Sequence, residues 1–217
     1  MDQQKTTDLQ ATYDRVAGQY VERIFNELEH KPLDRALLDR FAKDVQGPAC
    51  DLGCGPGHVT RYLHGRGANV IGIDLSPGMI EQARQLNPEM EFRQGNMLSL
   101  DFEDDSLAGI AAFYSIIHIP REEVTDALRE LKRVLRPGGL LLLAFHLGEE
   151  VIHLDEWWGE KVSADFIFFG TDEMAGYLKE ASFGIEEVIE REPYENVEHP
   201  SRRGYVFARK PKQGFPR

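Results

Sequence analysis

From residue 47 onward, short β-rich runs alternate with segments of helical pattern. The β-rich runs read ACDLG, NVIGID, EFRQGN, LAGIAAFYS and LLLLAFH, and the helical segments among them read HVTRYLHGRG, SPGMIEQARQL and PREEVTDALRELKRVLRPGG. Such alternation is typical of βαβ units stacked into a parallel sheet. We therefore predict an α/β fold, a Rossmann-like doubly wound sheet with helices on both faces.

Segments on both sides of this core complete the predicted fold. Residues 8–44 carry helical spacing, which predicts one or two helices over the edge or mouth of the sheet. The stretch TDEMAGYLKEASF predicts a helix with Thr171 as N-cap and Gly184 as terminator. Two further β-rich segments follow near 185–192 and 203–209, so the sheet is expected to have seven strands, most of them parallel.

The helical segment before the run LLLLAFH has the clearest ends. Pro120 stands at its start, and Pro137-Gly138-Gly139 is predicted to end it. Residues 149–170, by contrast, fit neither the helical nor the strand period. A structureless stretch of that length in a compact domain is usually functional or mobile, so we expect an insertion or lid after the fifth strand.

The length of 217 residues suits a single hydrophobic core. We predict one domain over 1–217, divided into an N-terminal helical cover (1–46), a cofactor-binding core (47–148), the lid or insertion (149–170) and a C-terminal helix with a strand pair (171–217).

Charge and hydropathy exclude several kinds of partner. The formal net charge is -12, with 37 acidic and 25 basic residues, which disfavours nucleic acid and anionic membranes as partners. The first residues lack a basic head followed by an apolar stretch, and no apolar run approaches the roughly 18 residues of a membrane span. These features predict a soluble, untargeted, cytoplasmic protein. They predict no oligomeric state.

Cys50 and Cys54 are the only cysteines. Two are too few for a disulfide framework, and the second pair that a structural zinc site requires is missing. We expect both to be buried as small apolar side chains and predict no metal site.

The stretch DLGCGPG follows the first predicted strand and precedes a helix. Gly53, Gly55 and Gly57 allow a sharp turn and a close approach of the backbone to a ligand, and N–H groups at the helix start face a negative group. Asp74 ends the next strand, where its carboxylate can accept hydrogen bonds from both hydroxyls of a ribose. The pattern predicts a ligand with a ribose and a nearby anionic group.

Two ligand classes compete for this turn. A dinucleotide fingerprint requires G-x-G-x-x-G, but the sixth position counted from Gly53 is His58, so the pattern present is G-x-G-x-G. Asp51 directly before the turn repels a pyrophosphate but suits the ammonium group of S-adenosylmethionine. The charge balance therefore favours S-adenosylmethionine over a nicotinamide dinucleotide.

Five stretches together resemble the successive motifs of class I S-adenosylmethionine-dependent methyltransferases of the small-molecule type, similar to methyltransferase domains 11 and 25. They are DLGCGPG, VIGIDLSPGMIEQAR, FRQGNMLSLDF, FYSIIHIP and LKRVLRPGGLLLLAFH. The resemblance runs in order over roughly residues 47–147 and resumes in AGYLKEASFGIEEV and RRGYVFARK. Each motif alone is weak, whereas five in order are specific.

The resemblance implies S-adenosylmethionine as cofactor and assigns a part of it to each group of site residues. By position these are Asp51, Gly53, Gly55, Gly57, Phe113 and Ser115 for the methionyl part, Asp74 for the ribose, Leu75, Met79, Asn96 and Met97 for the adenine, and Tyr13 and Tyr20 as a cover. Cys54, in the glycine turn, is also expected to bind the cofactor. Asn96 stands where the family often has aspartate. Its amide still reaches the adenine amino group through a carbonyl oxygen, but without charge assistance.

The same resemblance implies methyl transfer by in-line displacement, in which the protein chiefly positions the acceptor and a general base is optional. His118 is the candidate base if the acceptor is a hydroxyl. We expect a small organic acceptor, bound under the N-terminal helices and 149–170. Arg202 and Arg203 leave open an acceptor with a carboxylate.

The sequence leaves several alternatives open. The aromatic residues of the 149–170 region either form a lid core or contact the acceptor; they are Trp157, Trp158, Phe168 and Phe169. His146 is expected to be structural. A nicotinamide-dependent oxidoreductase and a non-catalytic S-adenosylmethionine sensor are the competing functions, and the methylated atom of the acceptor is not predicted.

Overall fold

The computed structural model describes residues 3–212. Its strands are β1 Pro48–Leu52, β2 Asn69–Asp74, β3 Phe92–Gln94, β4 Leu107–Phe113, β5 Leu135–His146, β6 Val151–Trp157, β7 Glu160–Ile167, β8 Gly184–Arg191 and β9 Arg203–Arg209. Its α-helices are α1 Gln3–Ile24, α2 Pro32–Asp44, α3 His58–Gly65, α4 Pro77–Leu86, α5 Arg121–Val134 and α6 Thr171–Glu180. Two short 3₁₀ helices span Glu27–His30 and Ile116–His118.

Seven strands form one sheet in the order β3-β2-β1-β4-β5-β9-β8. Neighbouring strands from β3 to β5 are parallel, and β9 runs antiparallel to both β5 and β8. The strand order reverses between β1 and β4, and ligands bind outside the carboxyl ends of the strands at such a switch point. The predicted fold is confirmed, including the two C-terminal strands.

Apolar layers cover both faces of the sheet because its central strands are buried on both sides. Every residue of β4 is buried, as is Leu140–Phe145 in β5. One layer includes Leu128 and Leu131 of α5, and the other includes Leu38 and Phe41 of α2. Burial on both sides explains why these strands show no alternation of polar and apolar residues.

Helix α1 lies over the carboxyl edge of the sheet, as the helical spacing of 8–44 predicts. Asp14 Oδ1 accepts hydrogen bonds from the Ser76 hydroxyl (2.6 Å) and the Gly78 N–H (2.8 Å) at the start of α4. On its other side, the Thr12 hydroxyl donates to the Ser163 carbonyl in β7 (3.1 Å). These contacts connect α1 to the sheet mouth and to the segment that follows β5.

That segment is not structureless, and the prediction for 149–170 is wrong on this point. Strands β6 and β7 form an antiparallel hairpin outside the main sheet. Its two-residue turn is Trp158-Gly159, with φ of 55° and 86°, which is the sign required at both positions of the tight turns that suit hairpins. Tryptophan rarely adopts a positive φ, so the turn has no sequence signature.

The predicted end of the helix before β5 is also wrong. Helix α5 ends at Val134, before Pro137, and Leu135 already pairs with Leu107 as the first residue of β5. Proline disfavours a helical conformation at the residue before it, so the helix cannot extend through Arg136.

Both predicted ends of α6 are shifted. Gly170, not Thr171, is the N-cap, and its N–H donates to Glu173 Oε2 (3.2 Å). At the other end Ser182 has the left-handed φ of 62°, while Gly184 begins β8. Serine reaches this conformation less readily than glycine, which is why the nearby glycine was the better sequence signal.

Cys50 and Cys54 are buried free thiols, as predicted. Within 3–212, no helix combines the length and apolar character needed to span a bilayer.

Candidate active site

A cavity of about 100 Å³ lies at the carboxyl ends of β1, β2 and β4, under α1. We call it the sheet-edge cavity. The predicted site residues that line it are Tyr13, Tyr20, Gly53, Gly55, Asp74, Leu75, Asn96, Met97, Phe113, Ser115 and His118. The strand order brings them together, because the ends of β1, β2 and β4 meet at one edge of the sheet.

Asp74 ends β2, and the backbone of two turns holds its carboxylate. Oδ2 accepts a hydrogen bond from the Gly55 N–H (2.8 Å) and Oδ1 accepts one from the Ser76 N–H (2.9 Å). Loss of hydration raises the pKa of Asp74 to about 6, although both N–H groups oppose the shift. Each oxygen retains a lone pair for a further donor such as a ribose hydroxyl.

Gly53 and Ser115 face each other where β1 and β4 end. A Cβ on Gly53 would lie 2.2 Å from the Ser115 Cβ, and Gly53 has a φ of 73°, so both space and backbone require glycine. The Ser115 hydroxyl is buried and has no hydrogen-bond partner among residues 3–212. A buried unpaired hydroxyl beside a side-chain-free turn fits a polar ligand, such as the methionyl end of S-adenosylmethionine.

Tyr13 and His118 form a hydrogen-bonded pair in the cavity wall. The Tyr13 hydroxyl lies 2.7 Å from His118 Nε2, and His118 Nδ1 lies 2.8 Å from the Asp165 carbonyl oxygen of β7. A carbonyl only accepts, so Nδ1 carries the proton and, in the neutral ring, Nε2 accepts from the Tyr13 hydroxyl. Burial lowers the pKa of His118 to about 4, which keeps the ring neutral near pH 7.

Asn96 and Met97 line the end of the cavity beside β3. Asn96 Oδ1 accepts a hydrogen bond from the Leu98 N–H (2.9 Å), which fixes the side-chain amide. The same oxygen has a second lone pair, so the expected contact to an adenine amino group is still available to it.

The match to known proteins agrees with this geometry. Residues 49–139 match the family described as "Methyltransferase domain". The chain is 32% identical over 142 residues to a 2-phytyl-1,4-naphtoquinone methyltransferase of Thermosynechococcus vestitus, covering 61% of this chain and 62% of that protein. It is 28% identical over 148 residues to a malonyl-(acyl-carrier protein) O-methyltransferase of Enterobacter lignolyticus, covering 68% and 57%.

The chain is similar to methyltransferases in sequence, and residues 49–139 match a methyltransferase domain. It thus spans about three fifths of the length of these two curated relatives.

Solved structures show the same fold over a larger share of the chain than residues 49–139. The DhpI–SAH complex superposes with a TM-score of 0.76 at 20% identity, covering 99% of this chain and 100% of that chain. An S-adenosylmethionine-dependent methyltransferase from Methanosarcina mazei gives 0.70 at 19% identity, covering 78% and 94%. The likeness to the DhpI–SAH complex therefore extends to both flanks of residues 49–139.

Asp51 lies outside the sheet-edge cavity, although it was expected to contact an ammonium group there. It is 1% exposed and does not line the sheet-edge cavity; its Oδ2 accepts a hydrogen bond from the Thr60 hydroxyl (2.6 Å) in α3. Burial raises the pKa of Asp51 to about 6, while the Thr60 hydrogen bond opposes the shift. In this structure Asp51 connects β1 to α3 behind the glycine turn.

Cys54, Gly57 and Met79 also do not line the cavity. Cys54 packs with Ile80 and Phe92, and a Cβ on Gly57 would lie 2.7 Å from the Phe92 ring. Met79 is fully buried against the inner face of α1. All three lie behind the cavity lining in this structure, and their contacts with a cofactor stay predictions.

A second cavity of about 380 Å³ adjoins the first. We call it the cover cavity, because α1, the β6–β7 hairpin and the segment before β9 enclose it. Its aromatic wall contains Tyr13, Tyr20, Trp157, Trp158, Phe166 and Phe168, and its charged wall contains Glu27, Lys31, Glu198 and Arg203. Phe169 packs instead against Phe145 in the core (ring centroids 6.5 Å), so it is no acceptor contact.

Of the residues that the structure describes, three line both cavities: Tyr13, Tyr20 and Tyr114. Tyr114 was missed in the sequence, although it lies between the predicted residues Phe113 and Ser115. It has a φ of 54°, which for a bulky residue is a strained conformation of the kind found at functional sites. Only the position directly after a buried strand could have indicated it.

Proposed function

We propose that this protein transfers the methyl group of S-adenosylmethionine to a small organic acceptor by in-line displacement. The observation that carries the proposal is the Asp74 carboxylate, fixed by the Gly55 and Ser76 N–H groups at the switch point of the sheet. It lies in one cavity with the unpaired Ser115 hydroxyl. One site therefore offers carboxylate oxygens that can accept from ribose hydroxyls and a hydroxyl that can pair with a methionyl group.

When bound, S-adenosylmethionine supplies a methyl group on a positively charged sulfur, and no covalent chemistry is required of the protein. Asp74 holds the ribose, Leu75 and Asn96 contact the adenine, and Ser115 contacts the methionyl end. Tyr13 and Tyr20 close the cavity from α1, with ring centroids 6.1 Å apart, and exclude water from the reacting atoms.

His118 is proposed to position the Tyr13 hydroxyl rather than to take a proton directly from the acceptor. Its Nε2 is 2.7 Å from that hydroxyl, and its Nδ1 proton is held by the Asp165 carbonyl. With a pKa of about 4, His118 is also a weak base. The Tyr13–His118 pair thus fixes the wall shared by both cavities.

The cover cavity is the proposed acceptor site because it meets the sheet-edge cavity at Tyr13, Tyr20 and Tyr114. Its volume of about 380 Å³ falls in the range of small-molecule pockets. One relative is named for a phytyl naphthoquinone and the other for a malonyl group on acyl carrier protein, which supports a small acceptor group but does not choose between these chemistries.

Ligand-induced stabilisation tests the cofactor. S-adenosylmethionine and S-adenosylhomocysteine are expected to raise the melting temperature, with about 2.7 kcal/mol of added stability at a hundredfold excess over the dissociation constant. NADH serves as the matched negative control. A shift with NADH alone would contradict the proposal, and tight S-adenosylhomocysteine binding without turnover of any acceptor would favour a sensor.

Hydrogen exchange tests whether the cover opens. The sheet-edge cavity, at about 100 Å³, is smaller than pockets that usually hold ligands of this size, and we propose that α1 and the hairpin move when the cofactor enters. We expect fast amide exchange at 12–21 and 149–170 in the free protein, slowed by S-adenosylhomocysteine. Strands β1 and β4 should stay protected in both states. Equal protection of the cover with and without ligand would argue against an opening cover.

A further inference from the structure

The aromatic wall of the cover cavity is built for a flat ring. Trp157 contacts Tyr13, Tyr20 and Phe166 edge-on, with ring centroids 5.4 to 6.0 Å apart. Trp158 lies tilted on Trp157 at 4.7 Å. Rings in these arrangements present faces and edges on which a further ring packs favourably.

The volume limits the size of that ring system. A cavity of roughly 150 Å³ suffices for benzene, and the cover cavity measures about 380 Å³. One or two fused rings therefore fit, while a larger polycyclic compound requires the cover to expand.

The charged wall of the same cavity holds two buried cations, Lys31 at 3% exposure and Arg203 at 2%. Lys31 Nζ pairs with Glu27 (2.7 Å), and both Lys31 and Arg203 reach Glu198 (3.3 Å each). Glu198 also pairs with Arg191, so one carboxylate serves three cations.

Arg203 shows which hydrogen-bonding group this wall lacks. Its terminal nitrogens donate to Ser201 and to the His199 carbonyl, but the Nε–H is buried with no partner among residues 3–212. The wall is formally neutral, and among residues 3–212 the Arg203 Nε–H is a buried donor in it that has no acceptor. A ligand that brings an acceptor, and above all a charged oxygen, complements it.

Tyr114 connects this wall to the sheet-edge cavity. Its ring lies 5.4 Å from Lys31 Nζ and 5.5 Å from the Arg203 guanidinium, and the residue lines both cavities. An oxygen held near these cations is therefore at the boundary where a methyl group would be delivered. His146 lines the same region, and burial together with the charges of Arg203, His199 and Lys31 lowers its pKa to about 3.

We propose that the cover cavity binds a flat compound of one or two aromatic rings carrying an anionic oxygen, a carboxylate or a phenolate, and that this oxygen accepts the methyl group. The inference rests on the proposed methyl transfer. In that step the oxygen lone pair forms the O–CH₃ bond as the C–S bond breaks, leaving a neutral thioether. No proton is released, so no base is required, in keeping with the occupied Nε2 of His118.

Direct binding tests the proposal without turnover. Trp157 and Trp158 are the only tryptophans in the chain, so tryptophan fluorescence reports on the aromatic wall itself. With S-adenosylhomocysteine bound, we would titrate four probes by fluorescence and calorimetry: 4-nitrobenzoate, 4-nitrophenolate, nitrobenzene as the uncharged flat control and cyclohexanecarboxylate as the charged control that is not flat. We expect one of the two flat anions to bind at least about tenfold more tightly than either control.

Each outcome has one meaning. If 4-nitrobenzoate binds more tightly than 4-nitrophenolate, the acceptor is a carboxylate, and the reverse order indicates a phenolate. Nitrobenzene binding as tightly as the anions overturns the anionic oxygen, and cyclohexanecarboxylate binding as tightly as 4-nitrobenzoate overturns the flat ring. No probe binding to a protein that binds S-adenosylhomocysteine overturns this inference alone, whereas failure to bind S-adenosylhomocysteine overturns the proposed function as well.

Neighbouring arginines provide a matched pair of variants. Arg203→Met should weaken binding of the preferred flat anion about tenfold and of nitrobenzene less than twofold. Arg202→Ala should change neither, because Arg202 is exposed and pairs with Glu190 and Glu192. If Arg203→Met fails to fold, Trp157→Leu gives a second test: it should weaken the flat probes two- to tenfold but not cyclohexanecarboxylate. Uniform weakening of all four probes would overturn the proposal.

Discussion

Replacing Asp74 with alanine should weaken S-adenosylhomocysteine binding about a hundredfold, or about 2.7 kcal/mol, measured by calorimetry. Among residues 3–212, the Asp74 carboxylate is the one charged group lining the sheet-edge cavity that is placed to accept hydrogen bonds from a ribose. Hydrogen bonds to a charged acceptor contribute about 1.5–3 kcal/mol, and a ribose offers two hydroxyls.

The control for this variant concerns the turns that Asp74 holds. Alanine leaves the Gly55 and Ser76 N–H groups without their acceptor, so a loss of binding could arise from a displaced turn. Asp74→Asn retains one amide oxygen and should fall between wild type and alanine. Unfolding free energies measured in parallel separate the two causes. Wild-type affinity in both variants would remove Asp74 from the binding site.

Asp74 should also make the affinity for S-adenosylhomocysteine depend on pH. Because the pKa of Asp74 is raised to about 6, the carboxylate is ionised above that pH and accepts from ribose hydroxyls. As the pH falls through 6 the free protein binds a proton that the ligand must displace, so affinity for S-adenosylhomocysteine should decrease. Asp51, behind the cavity, also has a pKa of about 6, so both carboxylates change charge in this range. The pH dependence of affinity that disappears in Asp74→Asn is the part due to Asp74.

The residues that the sequence could place are those whose positions follow from the ends of buried strands. Asp74, Phe113 and Ser115 each stand at or directly after a run of apolar residues, and parallel strands bring such ends to one edge. The direction in which a side chain points at such an end does not follow from the sequence pattern. Asp51 precedes the glycine turn yet points to Thr60, because α3 returns over β1 and offers a buried hydroxyl.

The cover could not be derived in the same way. The hairpin turn depends on Trp158 in a left-handed conformation, which no local pattern indicates. The charged wall joins Lys31 to Glu198 and Arg203, residues more than 160 positions apart that carry no shared motif. Such contacts arise only when the N-terminal helices pack beside the last two strands, and the acceptor site is built mainly from them.

The glycine turn itself should tolerate substitution worst at Gly53. A Cβ there would lie 2.2 Å from the Ser115 Cβ, well inside any van der Waals contact, and the φ of 73° disfavours alanine in addition. We expect Gly53→Ala to lose about 1–2 kcal/mol from backbone strain and about 1–3 kcal/mol from overlap in the free energy of unfolding, and to abolish detectable S-adenosylhomocysteine binding.

Two further variants divide this loss into its causes. Gly67→Ala has a comparable φ of 85° but no atom within 4 Å of the new Cβ, so denaturant unfolding should show the strain alone, about 1–2 kcal/mol. Adding Ser115→Gly to Gly53→Ala removes the overlapping Cβ and should restore the overlap part but not the strain. Binding should return only in part, since the Ser115 hydroxyl is lost. If Gly53→Ala were no less stable than Gly67→Ala and still bound S-adenosylhomocysteine, the close approach of β1 and β4 would not shape the cofactor site.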